Sequence, residues 1–238
     1  MGLFPHHHHS SHEQPDPQMA GIFTMPAWRY DLMARGGVFS GKGQEQTFRQ
    51  RIVDLARIQA GEAVLDVGCG TGTLAILAKK RVGERGRVSC VDPAAQLLAS
   101  ARRKAARARL SIDFQQAGIE QIPFPGQSFD VVLSTFMMHH LADDLKHQGL
   151  SEVARVLKPQ GRLLVVDFKH SEEHQKLTGQ PGLGAMGLQD LPTLLEEAGF
   201  TTIEAGEMPF YIKMTAAGRQ SCAFVLMSKN PVPEQKPI

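Results

Sequence analysis

Residues 64–72 read Val64-Leu65-Asp66-Val67-Gly68-Cys69-Gly70-Thr71-Gly72. The apolar run into Asp66-Val67 has the character of a buried strand, and helical text begins near Thr73. Between them, three glycines let the chain turn sharply and let a ligand approach closer than a Cβ would permit. Open α/β sheets seat cofactors at such strand-to-helix turns. Dinucleotide enzymes use a related loop, but the third glycine of their G-x-G-x-x-G pattern would fall on Thr73. A P-loop does not fit either, because no Gly-Lys-Ser/Thr follows.

Outward from this loop, short apolar runs at 63–67, 87–91, 111–115, 129–134 and 162–168 alternate with helical text at 73–81, 94–109, 143–157 and 188–198. That alternation predicts parallel strands with right-handed crossovers and helices on both faces. Two further strands are expected at 201–208 and 222–228. No clear helical period separates them, so at least one should run antiparallel to its neighbours. The expected fold is α/β, a Rossmann-like doubly wound sheet of seven strands, mostly parallel, with one antiparallel strand near the C-terminus.

Upstream, residues 44–58 place Phe48, Ile52, Leu55 and Ala56 near a 3.6 spacing, which predicts an amphipathic helix ended by Gly61. The expected division is a His-rich tail over 1–22, an N-terminal lid or helix segment over 23–48, the main domain over 49–229 and a flexible tail over 230–238. The tail holds His6 to His9 and His12 without apolar periodicity, the composition of a mobile segment or a purification-tag remnant.

The chain has 238 residues, with 26 Lys+Arg against 24 Asp+Glu and a formal charge of +2, which gives no support to a nucleic-acid surface over the whole molecule. Three cysteines, Cys69, Cys90 and Cys222, form no paired spacing for a disulfide framework or a zinc site. No run of about 18 apolar residues and no signal-peptide pattern is present, so a cytoplasmic protein without a membrane span is expected.

Asp92 ends the strand Val88-Ser89-Cys90-Val91 and precedes Pro93. An acidic side chain at the tip of the second strand can accept hydrogen bonds from both hydroxyls of a ribose. It also suits a helix N-cap, and both roles can coexist. With Phe129-Asp130-Val131-Val132-Leu133-Ser134 and Val156-Leu157-Lys158-Pro159-Gln160-Gly161-Arg162-Leu163, these residues resemble the successive motifs of class I S-adenosylmethionine-dependent methyltransferases. The resemblance covers residues 45 to 228. It is closest to the ubiquinone/menaquinone biosynthesis methyltransferase-like branch (methyltransferase type 11), given Tyr30-Asp31 and Ile122-Pro123-Phe124-Pro125.

The resemblance implies S-adenosyl-L-methionine as cofactor, S-adenosyl-L-homocysteine as product, and a small-molecule acceptor. It places Asp66 and the Gly68, Cys69, Gly70, Gly72 backbone at the methionine end, Asp92 and Pro93 at the ribose, and Gly118 and Ile119, within 117–120, at the adenine. Members of the family commonly carry Asp or Asn at the position of Gly118, to receive the adenine amino group. Glycine supplies no such side chain, whereas Ile119 can still offer its backbone N–H. Gln160 stands where the family usually has Gly, a matter of turn geometry.

Ser134 and the segment after it, through His140, are expected to line the reaction site. His139 and His140 are candidate general bases, since a neutral imidazole can take a proton from an attacking hydroxyl, thiol or amine. Tyr30 competes with them if the N-terminal segment, with Trp28, closes as a lid. Lys169 to Met186, with His170, Glu172, Glu173 and His174, has no spacing that fixes a metal geometry. Arg102, Arg103, Lys104, Arg107 and Arg109 could track an RNA backbone, although Leu97, Leu98 and Ala101 suggest the wet face of a sheet-covering helix. RNA or protein methylation and a non-catalytic adenosylmethionine-binding sensor or scaffold are therefore the alternatives to a small-molecule enzyme.

Overall fold

The structure, a computed structural model, describes residues 31, 44–168, 191–213 and 219–229. Tyr30, Trp28, the histidine tail, the loop from Lys169 to Met186 and residues 230–238 lie outside the described residues.

The chain runs α1 (Gln44–Leu55), β1 (Ala63–Val67), α2 (Thr73–Val82), β2 (Arg87–Val91), α3 (Ala95–Arg107), β3 (Asp113–Gln115) and β4 (Phe129–Thr135). A 3-10 turn (Met138–His140) leads to α4 (Asp143–Val156), β5 (Leu157–Phe168), α5 (Leu191–Glu197), β6 (Thr201–Lys213) and β7 (Arg219–Ser228). The seven strands form one sheet in the order β3-β2-β1-β4-β5-β7-β6. All pairings from β3 across to β5 are parallel, and β7 is antiparallel to both β5 and β6. The expected fold class holds, including the single reversed strand.

Both faces of the sheet are covered, which is why the central strands read as continuous apolar runs. Val64, Val131 and Leu133 pack with Phe48, Ile52, Leu74, Leu98 and Ala101 on one side. Leu65, Val67, Val132 and Val165 pack with Leu150, Val153, Leu194 and Leu195 on the other. The strand order reverses direction between β1 and β4, so a crevice opens at the C-terminal ends of these two strands. The glycine loop and the segment after β4 face each other there.

Several boundaries differ from expectation for local reasons. The first helix stops at Leu55 rather than Ile58, because Arg57 takes a left-handed φ of 53°. β3 starts at Asp113 rather than 111, where pairing with Ser89 begins. β5 starts at Leu157 rather than 162: Leu157 pairs with Phe129, and the register resumes only at Val131 with Arg162. The intervening Lys158–Gly161 segment is therefore an irregularity within the strand, and Gln160 lies exposed on it. β6 and β7 lengthen to Lys213 and Arg219, which pair with each other.

On α3, Leu97, Leu98, Ala101 and Ala105 are buried. Two of its basic residues serve the fold directly. Arg102 donates to the Phe114 carbonyl at 2.6 Å. Lys104 donates to Asp31 at 2.6 Å, to the Thr71 hydroxyl at 2.8 Å and to that of Thr73 at 3.2 Å. No described helix is long and apolar enough to cross a membrane.

Candidate active site

The glycine loop takes its shape from left-handed backbone at Gly68 (φ 71°), Gly70 (φ 54°) and Gly72 (φ 72°), conformations that carry a steric cost for other residues. The Gly68 and Cys69 amides both donate to the Val91 carbonyl, which pulls the loop over the end of β2. Gly68 also needs its missing side chain, since a Cβ there would stand 2.5 Å from Cγ of Met137. Gly72 serves packing instead: a Cβ would stand 2.8 Å from that of Ala101. Thr71 donates its hydroxyl to Asp31 at 2.7 Å, so Asp31 and Lys104 together clamp the loop from the N-terminal side.

Between this loop and the segment after β4 lies a cleft. Its floor is Val67, Gly68 and Gly70; one wall is Asp92, Pro93, Leu97 and Ala117 to Glu120; the other is Phe136, Met137, His140 and Leu141. Gly68, Gly70, Asp92, Pro93, Gly118, Ile119 and His140 are thus brought together. Asp66, Cys69, Gly72, Ser134 and His139 stand outside the lining, although Ser134 is paired beside Val67. The enclosed space is about 100 Å³, against ~300 Å³ or more for a typical small-molecule site. A nucleoside-sized ligand would need more room than this, which rotation of flexible wall side chains such as Met137 and Glu120 would give.

Asp92 is 6% exposed and is held at both oxygens: it accepts from the Gly70 amide at 2.8 Å and from the Ala94 amide at 2.9 Å. It is at once the brace of the glycine loop and the anchor of the turn into α3. Burial raises its pKa, and the hydrogen bonds from Ala94 and Gly70 oppose the rise. Each carboxylate oxygen has a second lone pair, so the side chain can still accept from a diol.

Asp66 is 1% exposed, and neither of its carboxylate oxygens has a hydrogen-bond partner among the described residues. Burial pushes its pKa up to about 7, with Arg49 lowering it and Asp92 raising it further. Native proteins rarely leave a buried carboxylate unsatisfied, because the lost hydration is not repaid. The Ser134 hydroxyl is likewise buried and without a partner among the described residues. These orphaned groups suit a ligand that brings a cation and donors to the ends of β1 and β4.

At the other wall, Phe136 holds a left-handed φ of 53°, a strained conformation for an aromatic residue, and donates its amide to the Val166 carbonyl. Its ring lies 5.6 Å from that of Phe48 and 5.0 Å from that of Phe168. The two histidines divide. His140 lines the cleft, whereas His139 lies behind it with ring centroids 3.7 Å apart. Asp167, at the end of β5, accepts from the His139 backbone at 3.1 Å and lies 2.7 Å from its Nδ1. If Nδ1 carries the proton, as this pairing favours, Nε2 is free to accept. Asp167 was not singled out in the sequence. Asp-Phe at the end of an apolar run was its only signal, and nothing in the sequence links it to a histidine 28 residues earlier.

Burial lowers the His140 pKa to about 3, with His139 lowering it further and Asp167 opposing. The folded state therefore keeps this ring neutral while the unfolded chain protonates near 6.5, so stability is full above pH 6.5 and is lost as pH falls towards 3. His140→Phe is expected to remove about 2 kcal/mol of the stability loss between pH 7 and pH 5. Urea denaturation at the two pH values checks this, and an unchanged pH response would contradict a half-buried, neutral His140.

Residues 64–161 match the family model described as a methyltransferase domain. The chain is 35% identical over 159 residues to the ubiquinone/menaquinone biosynthesis C-methyltransferase of Bdellovibrio bacteriovorus, covering 66% of this chain and 65% of that one. It is 40% identical over 147 residues to the demethylmenaquinone methyltransferase of Thermus thermophilus, covering 62% and 64%. The matches thus span just under two thirds of these relatives. Among solved structures, a SAM-dependent methyltransferase from Aquifex aeolicus aligns with TM-score 0.62 at 22% identity, over 91% of this chain and 100% of that one. The geranyl diphosphate C-methyltransferase of Streptomyces coelicolor, solved with S-adenosyl-L-homocysteine, aligns with TM-score 0.67 at 13% identity, over 79% and 80%. Residues 64–161 are thus similar to the methyltransferase domain, and the fold as a whole is the one its solved methyltransferase neighbours share.

Proposed function

We propose that this protein is an S-adenosyl-L-methionine-dependent methyltransferase acting on a small-molecule acceptor with aromatic, apolar surface. The observation that carries the proposal is the buried Asp66 carboxylate at the end of β1, just before the glycine loop and without a partner among the described residues, which suits the methionine ammonium. Asp92 takes the ribose diol, and the Pro93, Leu97, Ala117 and Ile119 side of the cleft takes the adenine. When bound, the cofactor supplies an electrophilic methyl on a sulfonium. The protein's task is to align a nucleophile with that methyl and exclude water.

Phe136, Met137 and Leu141 give the acceptor an apolar wall. The curated relatives are named for quinone methylation, so a hydroquinone-like ring is the acceptor class favoured. His140, neutral by burial, is a hydrogen-bonding wall residue and a weak base. Displacement of the His140 ring, which separates His139 from the cleft, lets His139, oriented by Asp167, take the acceptor proton, with Asp167 as its positioning residue. Asp31, bonded to Thr71 and Lys104, ties the chain upstream of α1 to the glycine loop.

The function is tested by following S-adenosylhomocysteine release across hydroquinone, phenol, thiol and amine acceptors, with an acceptor-free control. Release with a hydroquinone is the expected result, and no acceptor-dependent release from any class would overturn the reading. For the histidine pair, His139→Ala and Asp167→Asn are each expected to lower kcat ~100-fold with little change in KM. His140→Ala should act mainly on KM. Equal kcat in all three variants would remove the base role.

A further inference from the structure

Gly118 lies in the cleft wall without a side chain, yet the space where one would start is occupied. An ideal Cβ on Gly118 would stand 2.2 Å from both carboxylate oxygens of Glu120 and 2.5 Å from its Cδ. The Glu120 carboxylate is therefore folded back over the Gly118 α-carbon, and Glu120 itself lines the cleft. A side chain at 118 would displace it, so the glycine and this placement of Glu120 go together.

Among the described residues of the cleft wall, Asp92 and Glu120 are the two carboxylates. Asp92 is committed at both oxygens to the Gly70 and Ala94 amides. Glu120 makes no ion pair or side-chain hydrogen bond among the described residues, and it stands beside the apolar Ala117 and Ile119. A carboxylate only accepts hydrogen bonds. Set beside an apolar slot for a flat ring, it selects a ring bearing an exocyclic amino group and disfavours one bearing a carbonyl there.

We propose that Glu120 is the base-recognition residue of the cleft, receiving the exocyclic amino group of the adenine in place of a side chain at position 118. This rests on the proposed adenosylmethionine site. From its place over Gly118, rotation of the flexible Glu120 side chain would bring its carboxylate to the edge of a ring in the slot without backbone movement. Glu120 is exposed, so its replacement leaves the core intact.

The test is calorimetric titration of the full-length protein with S-adenosylhomocysteine and with its inosine counterpart, which carries a carbonyl in place of the amino group. Wild type is expected to prefer the adenine compound ~10-fold or more. Glu120→Ala should weaken the adenine compound ~10-fold and leave the inosine compound within ~3-fold of wild type. Glu120→Gln, whose amide can both donate and accept, should bring the two ligands within ~3-fold of each other. If both variants keep the wild-type affinities and preference, the role of Glu120 is overturned while the cofactor site stands. If wild type binds neither compound, the cofactor site falls and this inference falls with it.

Discussion

At pH 8, Asp66→Asn is expected to make the ligand-free protein more stable and at the same time to weaken S-adenosylhomocysteine binding ~30-fold or more. The two effects share one cause. A carboxyl raised from 3.8 to about 7 by burial costs on the order of 4 kcal/mol once ionised. Because the folded pKa lies above the unfolded one, the penalty is absent below about pH 4, grows between 4 and 7, and is complete above 7. Asparagine cannot ionise, but its buried amide forgoes hydrogen bonds at a cost of about 1–3 kcal/mol. A net gain of about 1–3 kcal/mol at pH 8, turning into a loss of about 1–3 kcal/mol towards pH 4, is what urea denaturation should show. Asn also cannot neutralise an ammonium. In the wild type the same linkage makes affinity fall as pH drops below 7, with proton release on binding, and Asp66→Asn should flatten that profile. Lower stability with intact binding would make Asp66 a structural residue. Stability sacrificed at a site that binds a ligand is the usual signature of function.

The second large effect concerns Asp92. Its two oxygens already hold the Gly70 and Ala94 amides, so Asp92→Ala strands two N–H groups in the interior at about 1–3 kcal/mol each. The variant should lose stability as well as ~100-fold in affinity, so weakened binding alone would not show a ribose contact. Asp92→Asn keeps one acceptor oxygen and perturbs the loop less, and a cycle between this variant and a deoxyribose analogue of S-adenosylhomocysteine isolates the contact. Removing the hydroxyl should cost wild type ~10-fold and Asp92→Asn less than ~2-fold. Equal losses in both proteins would leave Asp92 as a brace for the loop alone.

The fold was legible because a sheet covered on both faces writes its strands as apolar runs, and the loop at Gly68–Gly72 announces the crevice by its glycines. Asp92 was legible by its place at a strand end. What escaped depends on neighbours far apart in the chain. Asp167 meets His139 only because β4 and β5 are adjacent and parallel. Lys104 reads as one of a run of surface charges, and only folding brings it to Asp31 and Thr71. The strain at Phe136 and the early start of β5 at Leu157 are tertiary outcomes that no local propensity marks. The glycine at 118 looked like the loss of an acceptor, and only the folded backbone shows the Glu120 carboxylate over it.

The cleft between the glycine loop and the Phe136–Leu141 segment is the seat proposed for an adenosyl cofactor. Calorimetric titration of the wild-type protein with S-adenosylhomocysteine at pH 8 tests it most directly. One-to-one binding with micromolar affinity that weakens as pH falls below 7 is the expected result. No binding at millimolar ligand, or binding indifferent to both Asp66→Asn and Asp92→Ala, would contradict it.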